Sequence, residues 1–193
     1  MTVIADNTHS QFDEARRIVL DENARLLNSV ASERWDRAGS LITSARRVFV
    51  IGNGRSGLAA RMAAMRLMHL GLRVHVVGEV TAPAIGPGDV LVAVSGSGTT
   101  ASVVDAANTA NDVGAIVIAV TTSAGSPLGE RADETLILAA ADKQDHSGAV
   151  TAQYSGSLFE QSVLLAFDAL FQSLWAHTNQ SAQLLWERHA NIG

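Results

Sequence analysis

VLVAVSGSGTT, residues 90–100, joins an unbroken apolar run to a loop of glycines and hydroxylated residues. Val90 to Val94 has the continuous apolar character of a strand buried on both faces, as parallel sheets require. The small residues Ser95 to Thr100 break that run, and Ala101 to Asp112 reads as a helix. Strand, tight loop and helix start together form an anion cradle. Glycine permits positive φ and close approach of the backbone. The free N–H groups and the positive dipole end of the helix favour a phosphate. Ser95, Ser97, Thr99 and Thr100 add hydroxyl donors. No lysine stands in the P-loop position, so the loop is not a Walker A motif. The alternative is a glycine turn whose serines and threonines only cap the helix.

Working outward, Arg47 to Ile51 is a strand that runs into Gly52-Asn-Gly-Arg-Ser-Gly57, and a helix from Leu58 to Leu70 stops at Gly71. A short strand, Arg73 to Val77, ends in Gly78-Glu79, and a proline-bearing loop from Val80 to Gly88 leads back to Val90. Ala115 to Val120 and Glu134 to Ala139 complete five strands. Ahead of them, Ser10 to Ala45 has helical apolar spacing, with a break near Ala31–Ser32 and Ser32 as its expected cap. The polar stretch Ala140 to Tyr154 precedes a long apolar helix from about Ser155 to Trp175, and a last helix spans Ser181 to His189. Strands alternating with helices predict an α/β fold: a three-layer αβα sandwich on a five-stranded parallel sheet, with an N-terminal helical extension. One domain over residues 1–193 is expected, since no linker or repeat divides the chain.

Net charge of −5 gives no electrostatic case for nucleic acid or an anionic membrane surface. With no cysteine, disulfides, thiol chemistry and thiolate zinc sites are excluded. No apolar run reaches membrane-spanning length, and the N-terminus lacks a secretory pattern, so a cytoplasmic protein is expected. No spacing of histidines and acids suggests a metal site.

The GNGRSG run fits the G-x-G-x-x-G fingerprint, and Glu79 ends the next strand where a ribose-binding acid would stand. A dinucleotide enzyme is therefore one reading. Against it, SGSGTT is a second phosphate-type loop that a dinucleotide fold does not need. Arg55 and Ser56 inside the first loop also suit a sugar phosphate better than a pyrophosphate packed on bare backbone. The pair of loops favours a phosphosugar.

GNGRSGLAARMAAMRLMHLGLRVHVVGE (52–79), AVSGSGTT (93–100), GSLFEQ (156–161) and RHAN (188–191) resemble the sugar isomerase (SIS) domain family, and within it the 6-phospho-3-hexuloisomerases. The resemblance spans nearly the whole chain. It implies a flavodoxin-like sheet, interconversion of 3-hexulose 6-phosphate and fructose 6-phosphate in the ribulose monophosphate route of formaldehyde fixation, no cofactor, and a homotetramer with sites between subunits. Tyr154-Ser155 replaces the family's usual proline-methionine, and Ile192-Gly193 its usual acidic tail end. SIS domains also serve as non-catalytic phosphosugar sensors in transcription regulators. No basic helix-turn-helix segment precedes Arg47, which speaks against that role here.

Moving a carbonyl from C3 to C2 needs a base that reaches both carbons and a donor near the oxygens. Glu160, at the start of an apolar helix, is the expected base, although an acid there also simply suits the helix dipole. Glu79 is the rival base. His189 is the expected proton shuttle, reaching a neighbour's site by resemblance, against the plainer role of capping a helix end. His69 and His75 read as structural, and His146 could enter the site from its loop. Gly54, Arg55, Ser56, Ser95, Ser97, Thr99 and Thr100 are the expected substrate-binding set. Arg55 would bind sugar oxygens or phosphate, or else an acid on a neighbouring subunit.

Overall fold

The computed structural model of the chain describes residues 10–141 and 150–192. Five strands form one parallel sheet: β1 (Val48–Gly52), β2 (Val74–Val76), β3 (Val90–Val94), β4 (Ile116–Thr121) and β5 (Glu134–Ile137), in the order β2-β1-β3-β4-β5. This is the flavodoxin-like order, whose direction of winding reverses between β1 and β3. Gly52 pairs with Val94 across that boundary, so the loops leaving the two strands start side by side.

Side-chain alternation along the strands divides the core. Val90, Val92 and Val94 point into the larger half with Val48 and Val50, and Leu91 and Ala93 point into the smaller half with Phe49. The larger half is covered by α1 (Gln11–Asn28), α2 (Ser32–Ser44), α3 (Gly54–His69) and α5 (Ser157–Ala176), with α6 (Ala182–Trp186) against its edge. Trp35 of α2 meets Phe167 of α5 edge-on at 5.5 Å. The smaller half is covered by α4 (Ala101–Asp112), whose buried Val103, Ala107 and Ala110 are small enough for close approach to the sheet.

Three features depart from the sequence reading. The break before α2 falls where expected, but Ala31, not Ser32, is its N-cap, and no side chain caps it. Helix α3 starts at Gly54, so most of GNGRSG is the first helical turn rather than a loop, with the Gly57 N–H donating to the Asn53 carbonyl at 3.1 Å. Glycine is required at 57: a Cβ there would lie 2.3 Å from the Gly52 carbonyl oxygen. Helix α6 ends at Trp186, short of His189.

Charges hold the sheet at its other end and edge. Asp89, fully buried before β3, accepts from Arg46, Arg47 and the Gly86 N–H. Burial pushes its carboxyl up, but these donors outweigh burial and leave its pKa at about 2. Glu134 on edge strand β5 is buried and paired with Arg34 and Arg37 of α2. Among the described residues no helix is long and apolar enough to cross a membrane.

Candidate functional site

Helices α3, α4 and α5 all begin at the end of the sheet where β1 and β3 stop. Their N-caps, Asn53, Thr100 and Gly156, make no side-chain capping bond, whereas α1 and α6 are capped by Ser10 and Ser181. The first-turn N–H groups of α3, α4 and α5 thus lack capping side chains, and their dipoles favour negative charge at one end of the sheet.

The hydroxyls of the SGSG loop, whose plainer role would be to cap α4, are arranged otherwise. Ser95 Oγ and Thr100 Oγ1 face each other at 2.9 Å across the loop. Ser97 Oγ accepts from the Thr99 N–H at 3.3 Å and from Thr99 Oγ1 at 2.9 Å. Gly98 has φ of +63°, and Gly96 lies where a Cβ would meet the Phe159 ring at 3.2 Å, which brings the start of α5 onto the loop. Beneath, the Gly96 carbonyl accepts from Thr122 N–H and from the hydroxyls of Thr121 and Thr122, and the Gly98 carbonyl accepts from Leu128 N–H. Asn53 Nδ2 donates to Ser102 Oγ at 2.8 Å and ties the first turn of α3 to that of α4. Gly54, with φ of +57°, opens α3. Ser56 Oγ is buried and has no hydrogen-bond partner among the described residues, an arrangement that costs about 1–3 kcal/mol unless something else repays it.

Glu160, in the first turn of α5, is paired with Arg55 of α3, whose Nε donates to Oε2 at 2.5 Å. Arg55, the expected contact to sugar oxygens or phosphate, or else to a neighbour's acid, is paired within this chain with the expected base. The reason is that α3 and α5 pack side by side with their first turns level. The two side chains rim an open cleft of about 230 Å³, lined also by Leu58, Ala59, Met62, Gln161 and Leu164.

Glu79 is exposed and paired with Arg61 at 2.9 Å, so the acid that a dinucleotide site would need is a surface ion-pair partner. His75 contacts the Phe49 ring, and His146 lies outside the described residues, as does the rest of the Asp142–His146 run. His189 lies in the same chain at the far end of α3, about 20 Å along the helix from Ser56. Its Nδ1 is 3.3 Å from His69 Nε2, and its ring stacks on Trp186. Arg188 donates to the His69 carbonyl at 2.7 Å. Burial pushes the His69 imidazole below its ordinary pKa, and His189 and Arg66 push in the same direction.

The support under the SGSG loop (Thr121, Thr122, Ser126) and the Asn53–Ser102 tie escaped the sequence reading. A hydroxyl-rich TTSAGS run after β4 was the available signal.

The SIS domain profile matches residues 41–168, which span β1 to β5 and the first half of α5. The chain belongs to the SIS domain family. A 3-hexulose-6-phosphate isomerase of Mycobacterium gastri is 47% identical, covering 95% of this chain and 98% of its own. One from Bacillus subtilis (strain 168) is 35% identical, covering 90% and 95%. The crystal structure of a hypothetical protein from Methanococcus jannaschii, from which a 3-hexulose-6-phosphate isomerase function was inferred, superposes with a TM-score of 0.81 at 30% identity, covering 93% of this chain and 99% of that one. This SIS domain is similar to each of them over nearly its whole length.

Proposed function

We propose that this chain interconverts 3-hexulose 6-phosphate and fructose 6-phosphate through an enediolate. The observation that carries the reading is a carboxylate, Glu160, held where uncapped helix N-termini and the SGSG hydroxyls converge. A phosphosugar supplies the anion for that convergence, and its reacting carbons lie several bonds from the phosphate, within reach of a side chain at the rim. Similarity to the isomerases over most of both chains supports the same reaction.

Ser56, Ser95, Ser97, Thr99, Thr100 and the backbone at Gly54 bind the phosphate in this reading. Glu160 takes the proton from C2; the C2–C3 double bond forms and the C3 carbonyl pair moves to O3. Glu160 then returns the proton to C3, while the O2 proton passes to O3 and C2 becomes the carbonyl. Arg55 orients the carboxylate and lies near the developing negative charge.

His189 serves as the carrier between O2 and O3 in a neighbouring subunit's site. Leu58, Met62 and Met65 form an exposed apolar stripe on α3. Arg55 and His69 lie symmetrically on either side of Met62, about 10 Å along the helix in each direction. Two copies of α3 packed antiparallel about Met62 would bring one tail to the other's Arg55 and Glu160. A homotetramer built from such pairs is the assembly we favour.

A coupled assay tests the activity. Ribulose 5-phosphate and formaldehyde are condensed by a hexulose-phosphate synthase, and fructose 6-phosphate is measured after this protein is added. Protein-dependent product is expected; none, with folded protein, overturns the reading. Mixing Glu160→Gln and His189→Ala subunits tests the shared site. Two inactive variants should regain up to about one quarter of wild-type activity, since half of random pairs hold one intact site. No recovery after verified subunit exchange places His189 outside the chemistry.

A further inference from the structure

A buried polar ring joins the N-terminal helix to the first turn of α5. Glu22 and Asn23 of α1 are 6% and 5% exposed, an unusual setting for such side chains unless they are fully partnered. Glu22 Oε2 accepts from Thr151 Oγ1 and from Gln153 Nε2 at 3.0 Å, and Oε1 accepts from the Ala152 N–H at 2.7 Å. Gln153 Oε1 accepts from Gln161 Nε2 at 2.9 Å. Gln161 Oε1 accepts from Asn23 Nδ2 at 2.6 Å, and Asn23 Oδ1 accepts from Ser162 Oγ at 3.2 Å. The ring closes because Glu22 and Asn23 are neighbours in the chain. Burial pushes the Glu22 carboxyl up, but the bonds from Thr151, Ala152 and Gln153 outweigh it and hold it below its ordinary pKa.

We propose that Glu22 is a positioning residue for the isomerase site, acting through Thr151–Gln153 and Gln161 to fix the first turn of α5 and hence Glu160. The inference rests on the functional reading above. Gln161 directly follows Glu160 and lines the same cleft, so a ring that fixes Gln161 restrains the backbone carrying the base. On the other side Phe159 is buried, with its ring where a Cβ on Gly96 would meet it. Between these two anchors, Glu160 has little freedom except about its own side-chain torsions. Nothing in the ring touches the SGSG hydroxyls, so the phosphate cradle stands apart from it.

Three variants are compared with wild type in the coupled assay below their unfolding temperatures: Glu22→Gln, Gln153→Ala and Glu134→Gln. The first removes the buried charge, and the second cuts the ring and takes one donor from the Glu22 carboxylate but leaves that charge in place. The third removes an equally buried carboxylate that is paired with Arg34 and Arg37 of α2. For Glu22→Gln the expected result is a fall in kcat of about ten- to hundredfold, as small displacements of a reacting group produce, with KM within about twofold. Gln153→Ala should show the same split to a smaller degree, and Glu134→Gln should keep kcat whatever its stability. Amide hydrogen exchange should rise over residues 151–161 in Glu22→Gln and stay unchanged in the first turn of α3. Wild-type kcat in Glu22→Gln, kcat falling equally in Glu134→Gln, or unchanged exchange over 151–161 would each overturn the proposal. An inactive wild type would instead bring down the functional reading, and this inference with it.

Discussion

Replacing Gly98 by alanine tests how tightly the SGSG loop is fitted to its support. With φ at +63°, alanine pays the left-handed penalty of about 1–2 kcal/mol. Its Cβ would also stand 2.1 Å from Ser126 Oγ, 2.4 Å from Ser126 Cβ and 3.0 Å from Thr121 Oγ1. Such contacts require the loop or Ser126 to move, and overpacking of this kind costs about 1–3 kcal/mol. The sum, about 2–5 kcal/mol, corresponds to a Tm lowered by about 4–20 °C for a chain of this size. Ser126→Gly removes the two nearest atoms and leaves the φ penalty and the Thr121 Oγ1 contact. It also loses the Ser126 bonds to the Ser123 carbonyl and the Gly129 N–H, so it is destabilising alone. A double-mutant cycle by urea unfolding should therefore give a favourable coupling of about 1–3 kcal/mol between the two changes. KM should rise in Gly98→Ala and recover in part in the double variant. A coupling below about 0.5 kcal/mol, the limit expected of independent sites, would refute the steric argument.

Glu160→Gln should lower kcat by about 10²–10⁴ with KM little changed, because a general base acts in the transition state and not in binding; steady-state kinetics in the coupled assay read both. Ser97→Ala should act mainly on KM, since the phosphate is remote from the reacting carbons, and a kcat effect of equal size would remove Ser97 from the phosphate set. Asp89 sets an acid limit to stability. Its folded pKa of about 2 lies below the reference value of 3.8, so its contribution is complete above about pH 4 and is lost as pH falls toward 2. That contribution is about 2 kcal/mol. Urea unfolding at pH 5 and pH 3 should show a smaller pH difference in Asp89→Asn than in wild type by about 1 kcal/mol, half of that contribution, since pH 3 still lies above the folded pKa.

Much of the architecture is legible because local signals agree with it. Val90 to Val94 and Ala101 to Asp112 lie within the bounds their apolar run and helical spacing suggest, and Gly71, at φ of +94°, ends α3 where a glycine stop was expected. The GNGRSG run misled because glycines argue for a loop, whereas Gly57 is needed so that a helical turn can press on the Gly52 carbonyl. The Arg55–Glu160 pair joins residues 105 apart in sequence, and no periodicity carries that information. His189 against His69 is equally hidden, since a tail's docking depends on the surface presented by α3 and α5. Glu22 and Asn23 look like the polar face of an amphipathic helix. Only the return of Thr151 to Gln153 over them turns that face inward.

The two margins of the sheet also bear on how copies of this chain can and cannot join. β2 offers only Val74 to Val76 on one side, and β5 offers Glu134 to Ile137 on the other, with a carboxylate turned inward and locked to arginines. Short margins and an inward charge make poor templates for a foreign strand, so fibrous growth by strand recruitment is disfavoured even at high concentration. Helical surfaces such as the exposed Leu58–Met62–Met65 stripe are the better place for copies to meet, and a two-fold pairing there, of the kind proposed above, would be closed.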